Sequence, residues 1–120
     1  MVKELLRKLS DAHGVSSSEG NIRDIVRAEL AGVVDELRED TMGGNLIAVK
    51  RGDDFSVMLA AHMDEIGLMV QYIDEKGFIR VVPPIGGWFG PVLYCQRVIL
   101  HGKKGGPVMG VLGAKPPRTS

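Results

Sequence analysis

The chain has 120 residues, 44% of them hydrophobic and 25% charged, the composition of a soluble globular protein long enough to bury a core of its own. Fifteen Lys and Arg balance fifteen Asp and Glu, so no net field recruits nucleic acid or an anionic membrane, and the short pairs Arg7-Lys8 and Lys103-Lys104 read as solvated charge. A single cysteine, Cys95, excludes an internal disulfide and favours a cytoplasmic setting, while the charges among the first eight residues exclude a signal-peptide core and no apolar run reaches membrane-spanning length.

Two helices are predicted first. Leu5, Leu6, Leu9 and Ala12 recur on one face at helical spacing, and Gly14 is a natural stop. Ser16 followed by Glu19 reads as a capping box, in which the hydroxyl and the carboxylate each satisfy a free backbone N–H at the helix start. Ile22, Ile25, Val26 and Leu30 then form an apolar stripe that Gly32 closes. Beyond Val33 the period changes to two, weakly at Val34 to Glu39 and strongly at Leu46-Ile47-Ala48-Val49, with Met42-Gly43-Gly44-Asn45 as the turn between them. After a second turn at Arg51 to Asp54, Val57-Met58-Leu59-Ala60-Ala61 is apolar throughout, the pattern of a strand buried on both faces.

From Leu68 the pattern is all β: Leu68 to Ile73, Phe78 to Val82, Val92 to Leu100 and Val108 to Leu112 read as strands. All six prolines and most of the glycines lie beyond residue 76, so turn chemistry changes along the chain. The reading is therefore an α/β chain with two units, 1–67 and 68–120, the second packed on the first without a linker. Cys95 sits in the apolar run Val92 to Cys95 and is expected to be a buried, unreactive thiol. Trp88 and Phe89 read as turn-anchoring core or, alternatively, as a peptide-binding surface. Lys103-Lys104-Gly105-Gly106 lacks the spacing of a phosphate loop and reads as a hairpin turn.

The chemistry concentrates at His62-Met63-Asp64-Glu65. Residues two apart on a strand share a face, so His62 and Asp64 can address one site at the end of the predicted strand. A neutral imidazole suits zinc or cobalt, and a neighbouring carboxylate can fix its tautomer. The plainer reading makes His62 a strand-end residue with a satisfied hydrogen bond, and Asp64 and Glu65 a solvated turn.

The run Leu59 to Val70, centred on Ala61-His62-Met63-Asp64-Glu65-Ile66-Gly67, resembles the metal-binding signature of the tetrahedral, glutamyl-aminopeptidase-like family, which includes deblocking aminopeptidases and proteins labelled cellulases. Asp40 to Gly52, with Gly44 to Lys50 at its centre, resembles the hairpin before that signature. Gly77 to Arg80, Ile85 to Trp88, Gln96 to Val98, Gly106 to Gly113 and Lys115-Pro116-Pro117 resemble the family's segments C-terminal to the signature, in the same order.

The resemblance implies an α/β catalytic domain interrupted by a small PDZ-like β domain that mediates dimer contacts. It also implies dimers assembling into dodecameric tetrahedra, and two zinc or cobalt ions that serve removal of N-terminal residues from peptide substrates. By that resemblance His62 ligates one ion and Asp64 supports the site without binding metal directly. Residues 1–67 would belong to the catalytic domain and 68–120 to the β domain. The family's other ligands (a bridging aspartate, a Glu-Glu pair, a further acidic residue and a second histidine) have no counterpart here, and neither His13 nor His101 matches one. The expectation is an N-terminal portion of such an enzyme, inactive in isolation because a catalytic metal needs about three protein ligands. Two departures stand out: Ser16-Ser17-Ser18-Glu19 lacks the family's glycine before the second helix, and Arg118 replaces the histidine after Lys115-Pro116-Pro117. Two other functions compete with the enzyme. One is a non-catalytic assembly module associating through strand edges, and the other a PDZ-like module that pairs with an extended peptide.

Overall fold

The computed structural model describes residues 1–82 and 90–114. The Trp88-Phe89 pair and the Lys115-Pro116-Pro117 motif lie outside the described residues. The chain divides into two compact units, Met1–Gly67 and Leu68–Ser120. Between them they hold two α-helices and three two-stranded antiparallel sheets among the described residues, a mixed α/β content.

In the first unit, α1 (Val2–Asp11) and α2 (Gly20–Leu30) pack against each other, and the Lys8 ammonium meets the Glu29 carboxylate at 2.9 Å. The helical stripe of α2 turns Ile22 inward, 8% exposed, and Ile22 is the buried apolar side chain among the described residues. Gly32, at φ 76°, ends α2 in the left-handed conformation that a Cβ disfavours. The predicted capping box does not form. Glu19 caps no N–H of the helix and instead accepts a hydrogen bond from the Ser17 N–H, while the Ser16 hydroxyl is turned toward Asp64.

Next come β1 (Glu36–Glu39) and β2 (Leu46–Val49), paired from Glu36↔Val49 to Glu39↔Leu46. Their turn is held by the Asp40 carboxylate, which accepts from the N–H groups of Met42 and Gly43 and from the Asn45 amide. Arg23 ties α2 to this hairpin by donating from Nε to the Gly44 carbonyl (2.8 Å) and meeting Glu39 at 3.1 Å.

The strand expected over Val57 to Ala61 is absent. Those residues join no β-ladder among the described residues, and Leu59 is 92% exposed. An apolar run of this kind becomes a strand only when a neighbour pairs with its backbone and other elements cover its faces. Neither occurs among the described residues. Of the core that a chain of this length can bury, Ile22 is the one buried apolar side chain among the described residues, since two short helices and isolated hairpins enclose little volume.

The second unit contains two hairpins. β3 (Val70–Ile73) pairs with β4 (Ile79–Val81), with an irregularity between Val70 and Tyr72. Gly77, at φ 83°, and the Asp74 carboxylate, which accepts from the N–H groups of Lys76 and Phe78, make the turn. β5 (Arg97–His101) pairs with β6 (Pro107–Val111) in register from Arg97↔Val111 to His101↔Pro107. The Lys103-Lys104-Gly105-Gly106 segment is the turn between them, as its composition predicts. The strand predicted from Val92 starts only at Arg97. A 3₁₀ turn (Gly90–Leu93) and Cys95 at φ 64° precede it, and Cys95 is exposed rather than buried. An apolar run does not by itself distinguish a strand from a tight turn.

Candidate functional site

His62 and Asp64 face each other, as their spacing suggests, although on a segment outside any strand rather than at the tip of a buried one. His62 Nδ1 lies 3.0 Å from Asp64 Oδ1 and 3.1 Å from the Asp64 carbonyl oxygen. Both are acceptors, so the ring donates from Nδ1–H, and in its neutral form the lone pair lies on Nε2. The His62 side chain is 86% exposed, so Nε2 is open to a ligand.

Asp64 is the better-fixed member of the pair. Its Oδ2 accepts from the Ser16 hydroxyl at 2.5 Å while Oδ1 takes the imidazole. The Ser16 hydrogen bond first, and the His62 ring second, hold the Asp64 carboxyl below its ordinary range. Asp64 is therefore ionised at neutral pH, the state in which it accepts from both partners.

The segment carrying these residues is pinned to the loop between α1 and α2. Gly14 and Glu65 exchange bonds twice: the Glu65 N–H donates to the Gly14 carbonyl (2.8 Å), and the Gly14 N–H donates to the Glu65 carboxylate (2.9 Å). Val15 and Glu65 form a parallel bridge. Gly67 packs so closely on Val15 that a Cβ at Gly67 would sit 2.5 Å from a Val15 methyl. Sequence spacing does not reveal this clamp, because its two halves lie about fifty residues apart. Ser16, which its spacing assigns to a helix cap, belongs to this site instead.

One imidazole with an oriented, lone-pair-bearing Nε2 fits a role as a single metal ligand. The described residues include no group of three His, Cys, Asp or Glu that could hold an ion. His13 Nδ1 stands 3.9 Å from the Glu65 carboxylate, and His101 ends β5 in the other unit. Neither joins His62 in such a group.

Comparison with known proteins decides the lineage. Residues 44–120 match the family model described as M42 glutamyl aminopeptidase. The chain belongs to this family. Over 115 residues it is 45% identical to the lysyl aminopeptidase of Pyrococcus furiosus, an alignment that takes in 95% of this chain and 32% of that protein. Among solved structures it is similar to the TET aminopeptidase of a marine-sediment Thaumarchaeota archaeon (TM-score 0.88, 31% identity, 98% of this chain and 33% of that one). It is also similar to the Pyrococcus horikoshii TET1 peptidase (TM-score 0.81, 33% identity, 100% of this chain and 35% of that one), which assembles into a tetrahedron or a large octahedral shell. The chain thus spans about a third of the length of these M42 relatives. The M42 family is metal-dependent in general, and its mixed helix-and-sheet architecture is the one found here.

Proposed function

We propose that this chain is the part of an M42 aminopeptidase that supplies His62 as one metal ligand and Asp64 as the residue that orients it. The observation that carries the reading is the His62–Asp64 contact, which puts the proton on Nδ1 and leaves Nε2 to bind metal. When bound, two divalent ions, zinc or cobalt, would supply Lewis-acid activation for hydrolysis of the first peptide bond of a peptide substrate. With one ligand from this chain, the remainder of the metal set must come from other chain segments. The 120-residue chain alone is accordingly inactive.

Residues 1–67 are proposed to belong to the catalytic domain. Residues 68–120 are proposed to form part of a PDZ-like β domain used in dimer contacts, a reading supported by their two hairpins. Assembly into dimers and dodecamers is proposed by analogy with the TET neighbours, and a cytoplasmic setting is supported by the lone cysteine. No helix among the described residues is long and apolar enough to cross a membrane.

Release of N-terminal residues from chromogenic peptides, in zinc or cobalt buffers, tests the proposal on the native gene product and on the 120-residue chain. The native product is expected to turn over, and His62→Ala to lower its rate by more than about 100-fold, beyond the loss that accompanies removal of a ligand's supporting partner. Full activity in His62→Ala would remove the metal-ligand assignment. Turnover by the 120-residue chain would remove the need for further ligands.

A second reading, a non-catalytic assembly module, draws on a different observation. Phe55, Val57, Met58 and Leu59 are all exposed along one unpaired segment. Metal-independent association without peptide hydrolysis by the native gene product would favour it.

A further inference from the structure

We infer that Ser16 is a positioning residue of the metal site: its hydroxyl locks the Asp64 carboxylate in the rotamer that holds the His62 ring with its proton on Nδ1. Asp64 uses one oxygen for each partner, Oδ2 for Ser16 and Oδ1 for His62, so the serine fixes the carboxylate plane without competing with the imidazole. An Asp side chain held by one exposed partner is free to rotate about χ1 and χ2. A second hydrogen bond from the opposite side removes that freedom.

Ser16 itself is held in place. The paired bonds between Gly14 and Glu65, the Val15–Glu65 bridge and the Ser18 N–H donating to the Val15 carbonyl fix the loop on both sides of it. The neighbouring Ser17 takes φ 70°, a costly conformation for a residue with a Cβ, and its N–H is secured by Glu19. The Gly67–Val15 contact brings the loop and the His62 segment close enough for the hydroxyl to reach. The first and second helices are thereby coupled, through one serine, to the orientation of a ligand nearly fifty residues further along the chain.

The inference rests on the aminopeptidase reading only in taking a metal as the occupant of Nε2. The Ser16–Asp64–His62 relay is testable without any metal. In the isotope-labelled, metal-free 120-residue chain, long-range ¹H–¹⁵N spectra report which His62 nitrogen carries the proton. The expected wild-type signal is predominantly Nδ1–H, against the Nε2–H preference of a free histidine. Ser16→Ala should shift the tautomer ratio toward Nε2–H by about fivefold, the factor equivalent to one ordinary net hydrogen bond. Ser16→Thr, which keeps the hydroxyl, should restore the wild-type ratio.

A merely structural serine would leave the ratio unchanged in Ser16→Ala while the Gly14 and Glu65 amide signals stay in place, and that result would overturn the inference. Should Ser16→Ala dissolve the clamp, the wild-type chain decides alone. A slowly exchanging Ser16 hydroxyl proton coupled to the Asp64 carboxyl carbon supports the relay, and its absence overturns it. Loss of the relay with peptidase activity intact in the native product would sink this inference and spare the proposed function. An intact relay in a protein that neither binds zinc nor cleaves peptides would do the reverse.

Discussion

Aspartates do much of the local organising in this chain, each by accepting several donors at once. Asp40 and Asp74 close the turns of β1–β2 and β3–β4, and Asp64 joins a hydroxyl to an imidazole. At Asp74 the Phe78 N–H first, then Arg80 and the Lys76 N–H, hold the carboxyl below the ordinary 3.8. A carboxylate whose acidity is increased by folding stabilises the folded state at any pH above its unfolded value. It loses that contribution as pH falls through the lowered folded value. The β3–β4 turn is therefore expected to hold unchanged from neutral pH to about pH 4 and to loosen below it. The check is an acid titration of the Phe78 and Lys76 amide signals. Both should move together with a midpoint under the ordinary aspartate value, and the step should vanish in Asp74→Asn. A midpoint at or above 3.8 would contradict the stated hydrogen bonds.

At the same scale, the sequence makes the His62–Asp64 pairing legible, because two residues of spacing on an extended chain place both side chains on one face. Ser16 is not legible in that way. Its offset from Glu19 matches a capping box, and the competing acceptor, Asp64, is remote in sequence. Local pattern assigns the hydroxyl to the nearest partner, whereas the fold gives it to a charged acceptor.

Among the elements, those whose formation depends on local chemistry are the ones that pattern finds. α2, β2 and the glycine turns at Gly77 and Gly105-Gly106 all appear where composition puts them. The element that fails, Val57 to Ala61, is the one whose existence depends on neighbours supplied from elsewhere. The helix–hairpin junction illustrates a middle case, with elements predictable and their docking not. Arg23, a half-buried residue of α2, donates to the Gly44 carbonyl and pairs with Glu39. Removing it takes this donor from the carbonyl and one guanidinium from Glu39, pairings that local pattern does not name. Arg23→Ala is expected to destabilise the first unit by about 1.5–3 kcal/mol, the range for hydrogen bonds made by a charged group. Urea titration gives the magnitude. Amide exchange should localise the loss to β1 and β2, with the β5–β6 hairpin unaffected.

At the scale of the whole molecule, family membership is far easier to read than activity. A series of short motifs in fixed order identifies the M42 lineage even though each motif alone is weak, because order and spacing multiply their specificity. Activity belongs to a constellation of ligands, and this chain spans about a third of the length of its relatives. The uncovered apolar segment before His62 has a mechanical consequence. Phe55, Val57, Met58 and Leu59 expose their side chains on a segment whose backbone N–H and C=O groups have no ladder partners among the described residues, which is the condition for pairing with another chain. Burying a Leu or Phe side chain contributes about 1.5–3 kcal/mol each, so pairing two such segments would readily offset the entropy of ordering them. The 120-residue chain is therefore expected to associate as its concentration rises, with sedimentation velocity showing a shift to faster species across the micromolar range. Val57→Lys with Leu59→Lys should abolish that shift, since two charges on each copy oppose both burial and close approach. Sedimentation of the unsubstituted chain as a single compact monomer at every concentration would mean that this segment finds its cover within the same chain.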